Sequence, residues 1–250
     1  MFKDKRVSAI IPARDEERSI AKVVAGLLDL RDAKGTCIFD HVIVCDNGST
    51  DNTANTARQA GANIVVENKP GYGAACLAAL AVVPRSDIIV FIDGDYSFYA
   101  EQSLAMLDAI DAGADLVIGS RALGNIQPGA LTLPQRVGNR LATLLIQLLW
   151  QTPITDLGPF RAVSANALAV IDMRDTAFGW TVEMQVKAIQ CSLNVKEIPV
   201  DTRPRIGISK ISGTVSGVVG AAIGIFGTIF KLWVQERRKL RLSHQKQSDL

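Results

Sequence analysis

The sequence predicts an α/β fold built on a largely parallel sheet, from three observations. Short apolar runs rich in β-branched residues recur along the first half of the chain. The stretches between them carry helical spacing, and a polar motif follows each of the first four runs. Parallel strands buried on both faces read as continuous hydrophobic runs, and strand alternating with helix is the pattern of a sheet covered by helices on both sides. With 250 residues, 48% of them hydrophobic, the chain can bury one sizeable core. Its formal charge of +2, with no basic residues interleaved with aromatics, argues against a nucleic-acid partner.

The elements follow in order. Val7–Ile11 is the first strand; it lies too close to the start and is ended too soon by Pro12 to be a secretory signal. Pro12-Ala13-Arg14-Asp15-Glu16-Glu17 follows it. His41–Cys45 is the second strand, followed by Asp46-Asn47-Gly48-Ser49-Thr50-Asp51. Asn63–Val66 is the third, followed by Asn68 to Gly73, and Ile88–Ile92 the fourth, followed by Asp93-Gly94-Asp95. Leu116–Ile118 is a fifth. In such sheets ligands bind beyond the carboxyl ends of the strands, so four polar segments are expected at one rim. The cysteines Cys37, Cys45, Cys76 and Cys191 form no Cys-x-x-Cys pair, and only His41 and His244 could join them. That excludes a plausible zinc site and fits a reduced, cytosolic setting better than a disulfide framework.

Each rim segment has a chemical use. Asp93 and Asp95 place two carboxylates where a buried strand reaches solvent, a seat for Mg²⁺ or Mn²⁺, which are held by one or two carboxylates plus substrate phosphates. Gly94, without a Cβ, would let a phosphate approach the backbone. Asp46 is expected to accept from a nucleobase or ribose, with Ser49, Thr50 or Asp51 capping the next helix, Ser49 or Thr50 ahead of Asp51. Lys69-Pro70-Gly71-Tyr72-Gly73 runs into an alanine-rich helix whose free N–H groups could face a phosphate.

Taken together, Ile10 to Glu17, Asp46 to Asp51, Gly71 to Ala75 and Phe91 to Asp95 resemble the nucleotide-sugar half of family 2 glycosyltransferases with the GT-A fold. Gly119-Ser120-Arg121, Thr155-Asp156-Leu157-Gly158-Pro159-Phe160-Arg161 and Arg203 to Lys210 resemble motifs of the polyprenyl-phosphate (dolichyl-phosphate) mannosyl- and glucosyltransferases. The resemblance implies a Rossmann-like GT-A catalytic domain over residues 1–210 with a nucleotide-sugar donor. Pro12, Arg14, Glu16, Asp46, Lys69 and Gly71 would border that donor, and Asp93, Gly94 and Asp95 would hold its diphosphate through the metal. Arg205 and Lys210 would reach the diphosphate, the latter on a loop able to close. Arg121, Arg136 and Arg140 would face an acceptor phosphate. Asp156, Asp95 and Lys210 would carry the chemistry. Two departures stand out: Ser97 replaces a glutamine common in related enzymes, which leaves two aspartates as the expected protein ligands. Pro159 is inserted before Phe160, which alters the acceptor pocket.

Transfer of a sugar from a nucleoside diphosphate requires neutralisation of the departing diphosphate. A lipid monophosphate acceptor is already anionic, so Asp156 would position it; a hydroxyl acceptor would need Asp156 or Glu183 as a base. Glu183 equally suits an ordinary helical glutamate, and Arg136 and Arg140, four apart, a solvated helix face. From Ile211 to Phe230 no charged residue occurs, and Lys231, Arg237, Arg238, Lys239 and Arg241 follow. Gly213, Gly217, Gly220, Gly224 and Gly227 fall near one stripe and Phe226, Ile229, Phe230 and Trp233 on another. This suits membrane-associated helices over 211–250, lying in the interface with the basic tail on anionic headgroups; a single span is the alternative by length. Arg136 to Trp150 reads either as a further interfacial helix or as core. The expected protein is a metal-dependent, inverting hexosyltransferase acting on polyprenyl phosphate at the cytoplasmic face of the membrane. Rival readings are another acceptor (a glycolipid hydroxyl or a small soluble phosphate), a sugar-phosphate nucleotidyltransferase, or a non-catalytic adaptor; a homo-oligomer is left open.

Overall fold

The computed structural model describes residues 1–207 and 215–248. Seven strands form one sheet: β1 (Val7–Ala13), β2 (His41–Asp46), β3 (Asn63–Val66), β4 (Ile88–Phe91), β5 (Leu116–Ser120), β6 (Arg161–Ser164) and β7 (Val195–Pro199), in the spatial order β3-β2-β1-β4-β6-β5-β7. All run parallel except β6, which pairs antiparallel with both β4 and β5. The sheet is therefore mostly parallel, as its hydrophobic runs predict. β6 and β7 are the strands without such runs: Arg161-Ala-Val-Ser has two apolar residues, and Val195-Lys-Glu-Ile-Pro is interrupted by two adjacent charges.

Side chains on a strand point alternately to opposite faces, and this period divides the core in two. Val7, Ala9 and Ile11 of β1, Val42 and Val44 of β2, and Ile88 and Val90 of β4 face α1 (Ile20–Leu28), α2 (Thr53–Gln59) and α4 (Ser103–Asp111). Ile10, Ile43, Cys45, Ile89 and Phe91 face α3 (Tyr72–Val82), α6 (Ala165–Ile171) and α7 (Trp180–Gln190). Pro12 sits in a strand flanked on both sides, yet the β1–β4 ladder ends at Ile10↔Phe91, so its missing N–H faces no β4 partner.

A third cluster joins α5 (Leu133–Trp150), α7 and α8 (Val215–Ser248) through Ala142, Ile146, Val182, Val186, Ile229 and Leu232. α5 begins at a capping box in which Thr132 Oγ1 accepts from Gln135 N–H while Gln135 Oε1 accepts from Thr132 N–H. Trp150 Nε1 donates to Glu236 Oε2 at 2.6 Å, which ties α5 to α8. Among the described residues the C-terminal region is thus one long helix, α8, rather than the several helices expected there. Among the described residues no helix is long and apolar enough to cross a membrane, so the single-span alternative finds no support in them. Of the glycine stripe, Gly220 and Gly224 lie against Phe178, where a Cβ at Gly224 would come within 3.0 Å of Phe178 Cβ. Gly213 falls outside the described residues.

Ile229 is fully buried in the cluster shared by α5, α7 and α8. Ile229→Ala is expected to cost about 2–4 kcal/mol of stability, read as a lower urea midpoint with an unchanged slope; an unchanged midpoint would show that α8 does not contribute to the folded core.

Candidate functional site

The carboxyl ends of β1, β2 and β4 converge, and their loops are laced together by side-chain hydrogen bonds. Asp15 N–H donates to Ser49 Oγ at 2.9 Å, Thr50 N–H to Asp15 Oδ1 at 2.7 Å, and Glu16 N–H to Thr53 Oγ1 at 2.7 Å. Ser49 and Thr50 are therefore not caps of α2, contrary to expectation. Their oxygens meet Asp15, and Asp51 Oδ1 accepts from Thr53 N–H instead. Asp46 ends β2 nearly buried, with Oδ1 accepting from Ser49 N–H at 3.1 Å. Arg14 is exposed at the same rim.

Asn47 fixes the next segment: its Nδ2 donates to the carbonyls of Glu67 and Lys69, and its Oδ1 accepts from Gly71 N–H at 2.8 Å. The start of α3 is not open to a phosphate as expected from free N–H groups. Gly73 N–H donates to Ala177 O and Ala74 N–H to Thr176 O at 3.0 Å. A Cβ at Gly71 would meet Thr176 O at 2.1 Å, and one at Gly73 would meet Asp175 O at 2.1 Å. Both glycines are thus required by the close passage of the 175–177 loop. Gly94 also has a packing reason, since a Cβ there would press on Ile20, Ile11 and Ala13 in the core.

Asp93 and Asp95 end β4 side by side. Asp93 Oδ1 accepts from the Tyr72 hydroxyl at 3.2 Å. Asp95 is 2% exposed; its Oδ1 accepts from Ser97 N–H at 2.9 Å, while its Oδ2 is in ion-pair contact with Arg205 but makes no hydrogen bond. Ile206 N–H donates to Asp95 O, so the 203–207 strap crosses this loop. Arg203 holds the strap down, stacked on Tyr96 and Tyr99 and donating to the carbonyls of Tyr96 and Phe98. Burial, reinforced by the Asp95 charge, pushes the Asp93 carboxyl up from its ordinary range. Glu16 is pushed up to about 7, first by burial and then by Asp95 and Asp93, against the opposing Ser19 hydrogen bond and Arg205 charge. Three carboxyl groups and one arginine therefore share this corner. Among the described residues no group of three or more His, Cys, Asp or Glu side chains is arranged to hold a metal ion. A buried carboxylate oxygen without a hydrogen bond beside a second carboxylate nevertheless fits a hard cation completed by phosphate and water.

Asp156 and Arg121 do not stand apart. Arg121 Nε and Nη2 donate to Asp156 Oδ2 and Oδ1 at 2.8 and 2.7 Å, a bidentate pair, and Arg121 N–H adds a third bond. Burial alone would lower the Arg121 pKa; the Asp156 carboxylate more than offsets it and holds it above its ordinary value. Glu197 of β7 supports this turn by accepting from the N–H groups of Thr155 and Asp156. Arg161, 1% exposed, donates to Gly158 O, Thr181 O and Gln185 Oε1, and burial lowers its pKa to about 10, which leaves it cationic at neutral pH. Glu183 is engaged as well: Oε2 accepts from Arg174 and Asp175 N–H, and Oε1 pairs with Lys187 at 2.8 Å. It holds the loop that closes on α3.

Arg136 and Arg140 project from the exposed side of α5, away from any ion pair among the described residues. They flank an exposed apolar stripe of Leu133, Val137, Leu141, Leu144 and Leu148. Lys210 lies outside the described residues. Tyr72, Asn47, Arg161 and Glu197 were given no individual role by sequence reasoning. The first three stand inside the motifs, but nothing in their spacing separates them from their neighbours; Glu197 lies in a strand with no apolar run.

The model of the family described as Glycosyl transferase family 2 matches residues 8–169. The dolichyl-phosphate hexose transferase of Haloferax volcanii is 30% identical over 94% of this chain and 96% of its own length. The polyprenol monophosphomannose synthase of Mycolicibacterium smegmatis is 29% identical over 84% of this chain and 82% of its own. Glucosyl-3-phosphoglycerate synthase from Mycobacterium tuberculosis, crystallised with Mn²⁺, UDP and glucosyl-3-phosphoglycerate, superposes with a TM-score of 0.75 at 21% identity, over 92% of this chain and 80% of that one. At that identity the likeness shows the shared fold.

Because folding raises the pKa of Asp93 above its unfolded value, ionising it costs stability, a penalty complete above the folded pKa and fading as pH falls toward the unfolded one. Asp93→Asn is expected to raise the melting temperature in EDTA at about pH 8, with a gain that shrinks steadily toward about pH 5; a gain independent of pH would remove the electrostatic explanation.

Proposed function

Since the chain belongs to glycosyl transferase family 2, we propose that it moves a hexosyl group, with inversion, from a UDP- or GDP-sugar to a polyprenyl phosphate at the cytoplasmic membrane face. The observation that carries the acceptor class is that neither carboxylate considered as a base is free. Asp156 is bound bidentately by Arg121, and Glu183 is occupied by two backbone N–H groups and Lys187. A hydroxyl acceptor needs its proton removed; a phosphate monoester attacks as an anion and needs none. The names of the relatives from Haloferax and Mycolicibacterium support the same acceptor.

In this mechanism Pro12, Arg14, Glu16, Asp46 and Lys69 line the nucleoside side of the rim, and Gly71 and Gly94 shape the floor through their packing. Asp93 and Asp95 would hold Mg²⁺ or Mn²⁺, the ions found with the structural neighbours. That ion supplies charge neutralisation to the departing diphosphate. Arg205, released from Asp95, would turn to the same diphosphate, joined by Lys210. Arg121, oriented by Asp156, would hold the acceptor phosphate near the anomeric carbon, and its bidentate pairing keeps the guanidinium in one place.

Residues 1–210 carry the chemistry, and 211–250 form the membrane-facing segment, docked through Ile229 and Leu232. α5 is its companion. The exposed Leu133, Val137, Leu141, Leu144 and Leu148 would enter the acyl boundary, with Arg136, Arg140 and the exposed Lys231, Arg237, Arg238, Lys239 and Arg241 on the headgroups. Attachment is peripheral.

The test is a matrix of UDP- and GDP-sugars against polyprenyl phosphate, 3-phosphoglycerate and a glycolipid, with and without Mn²⁺, read by product mass. Product on the lipid phosphate alone, lost in EDTA, is expected. Transfer only to 3-phosphoglycerate would replace the lipid acceptor by a soluble one, and release of pyrophosphate from a nucleoside triphosphate would point to a nucleotidyltransferase. Arg136→Gln with Arg140→Gln is expected to lower turnover on vesicle-borne lipid phosphate roughly thirtyfold, with about 1 kcal/mol lost for each of the two charges removed, and to leave binding of UDP or GDP unchanged. Arg205→Ala is expected to bind Mn²⁺ more tightly without nucleotide, because a competing cation is gone, yet to transfer sugar more slowly.

A further inference from the structure

The two aspartates at the end of β4 are held by different means. Asp95 is fixed by Ser97 N–H and by Arg205. Asp93 has one side-chain hydrogen bond, from the Tyr72 hydroxyl to Oδ1, and among the described residues no other donor reaches it. That bond leaves Oδ2 as the available acceptor. Tyr72 itself is held firmly. It lies between two glycines that the 175–177 loop passes at backbone distance, with Gly71 N–H bound by Asn47 and the N–H groups of Gly73 and Ala74 bound by the loop carbonyls. Glu183 in turn fixes that loop from α7. The chain of contacts from α7 to the phenol ends on one carboxylate oxygen.

We infer that Tyr72 is a positioning residue for the metal: its hydroxyl fixes Asp93 in a single rotamer with Oδ2 presented beside Asp95 Oδ2. A neutral donor suits this task. A lysine or arginine reaching Asp93 would neutralise it and compete with the cation, as Arg205 does at Asp95, whereas a phenol orients the carboxylate and leaves its charge for the ion. The inference rests on the metal reading above and deepens it by naming what would make two carboxylates sufficient where the described residues offer no third protein ligand.

The experiment uses the full chain, stripped with EDTA and titrated with Mn²⁺ by calorimetry in separate runs containing UDP or GDP, without acceptor. Tyr72→Phe keeps the ring and removes the hydrogen bond, and is expected to weaken Mn²⁺ binding about five- to tenfold, the range one hydrogen bond supplies. Nucleotide binding in EDTA should be unchanged. In an Asp93→Asn background Tyr72→Phe should have no further effect on Mn²⁺ affinity, because its action passes through that carboxylate. An equal loss in both backgrounds would assign Tyr72 a general structural role and overturn the inference. If Tyr72→Phe binds Mn²⁺ like the unmodified protein while Asp95→Asn does not, the inference fails and the metal site stands. If Asp95→Asn also binds normally, the metal reading itself fails.

Discussion

Glu16, Asp93 and Asp95 are held at one corner against their mutual repulsion and against the cost of burial, and much of the surrounding structure serves to keep them there. Strand β4 brings two of them to the rim from a fully buried position between β1 and β6, so the backbone that carries them cannot yield. The loop after β1 brings the third. Such a cluster is tolerable only if a cation shares it, and in the free protein Arg205 does so from the strap pinned by Arg203. The strain of the corner is of the kind that an enzyme site stores and that a bound ion relieves.

Three further buried polar groups are held by long-range partners. Arg121 is paired with Asp156, whose turn is held by Glu197; Arg161 is satisfied by carbonyl and amide oxygens; Asn47 closes three hydrogen bonds. Buried polar networks of this completeness are rigid. Rigidity has a chemical meaning here, because electrostatic stabilisation of a leaving group depends on charges that need not reorganise.

The sequence made the fold legible where burial is two-sided. Runs such as Ile88–Phe91 and Val42–Cys45 are apolar at every position because helices cover both faces, and they stand out without any alignment. β6 and β7 do not, since Arg161, Lys196 and Glu197 interrupt them, and each of these charges has a partner or exposure that only the folded chain reveals. The acidic pair after β4 was visible from its residue types, and the fold adds Glu16 and Arg205 to the same corner. What was not legible was who pairs with whom. Gly71 and Gly73 looked like a phosphate turn, yet they make room for a loop a hundred residues away. Ser49 and Thr50 looked like helix caps, yet they bind Asp15. Arg121 and Asp156 read as two separate groups, yet they are one ion pair. Long-range pairing is set by topology, which short-range spacing does not encode.

The single reversed strand has a consequence for how the site is encoded. Because β6 runs against β4, Arg161 at its start lies level with Phe91 at the end of β4, so the segment 155–160 reaches the rim from its own upstream side. The acidic corner is built from loops leaving β1 and β4, while the Asp156 turn is built from chain arriving at β6. The two are thus separate stretches of sequence meeting at one ladder. The stretch between β5 and β6 carries α5, whose Asn139 bonds Thr155 O and Leu157 N–H, and it adds no strand to the ladders of β1 to β4. In the proposed reading the recipient's side is therefore encoded by one insert, apart from the stretches that would hold the nucleotide.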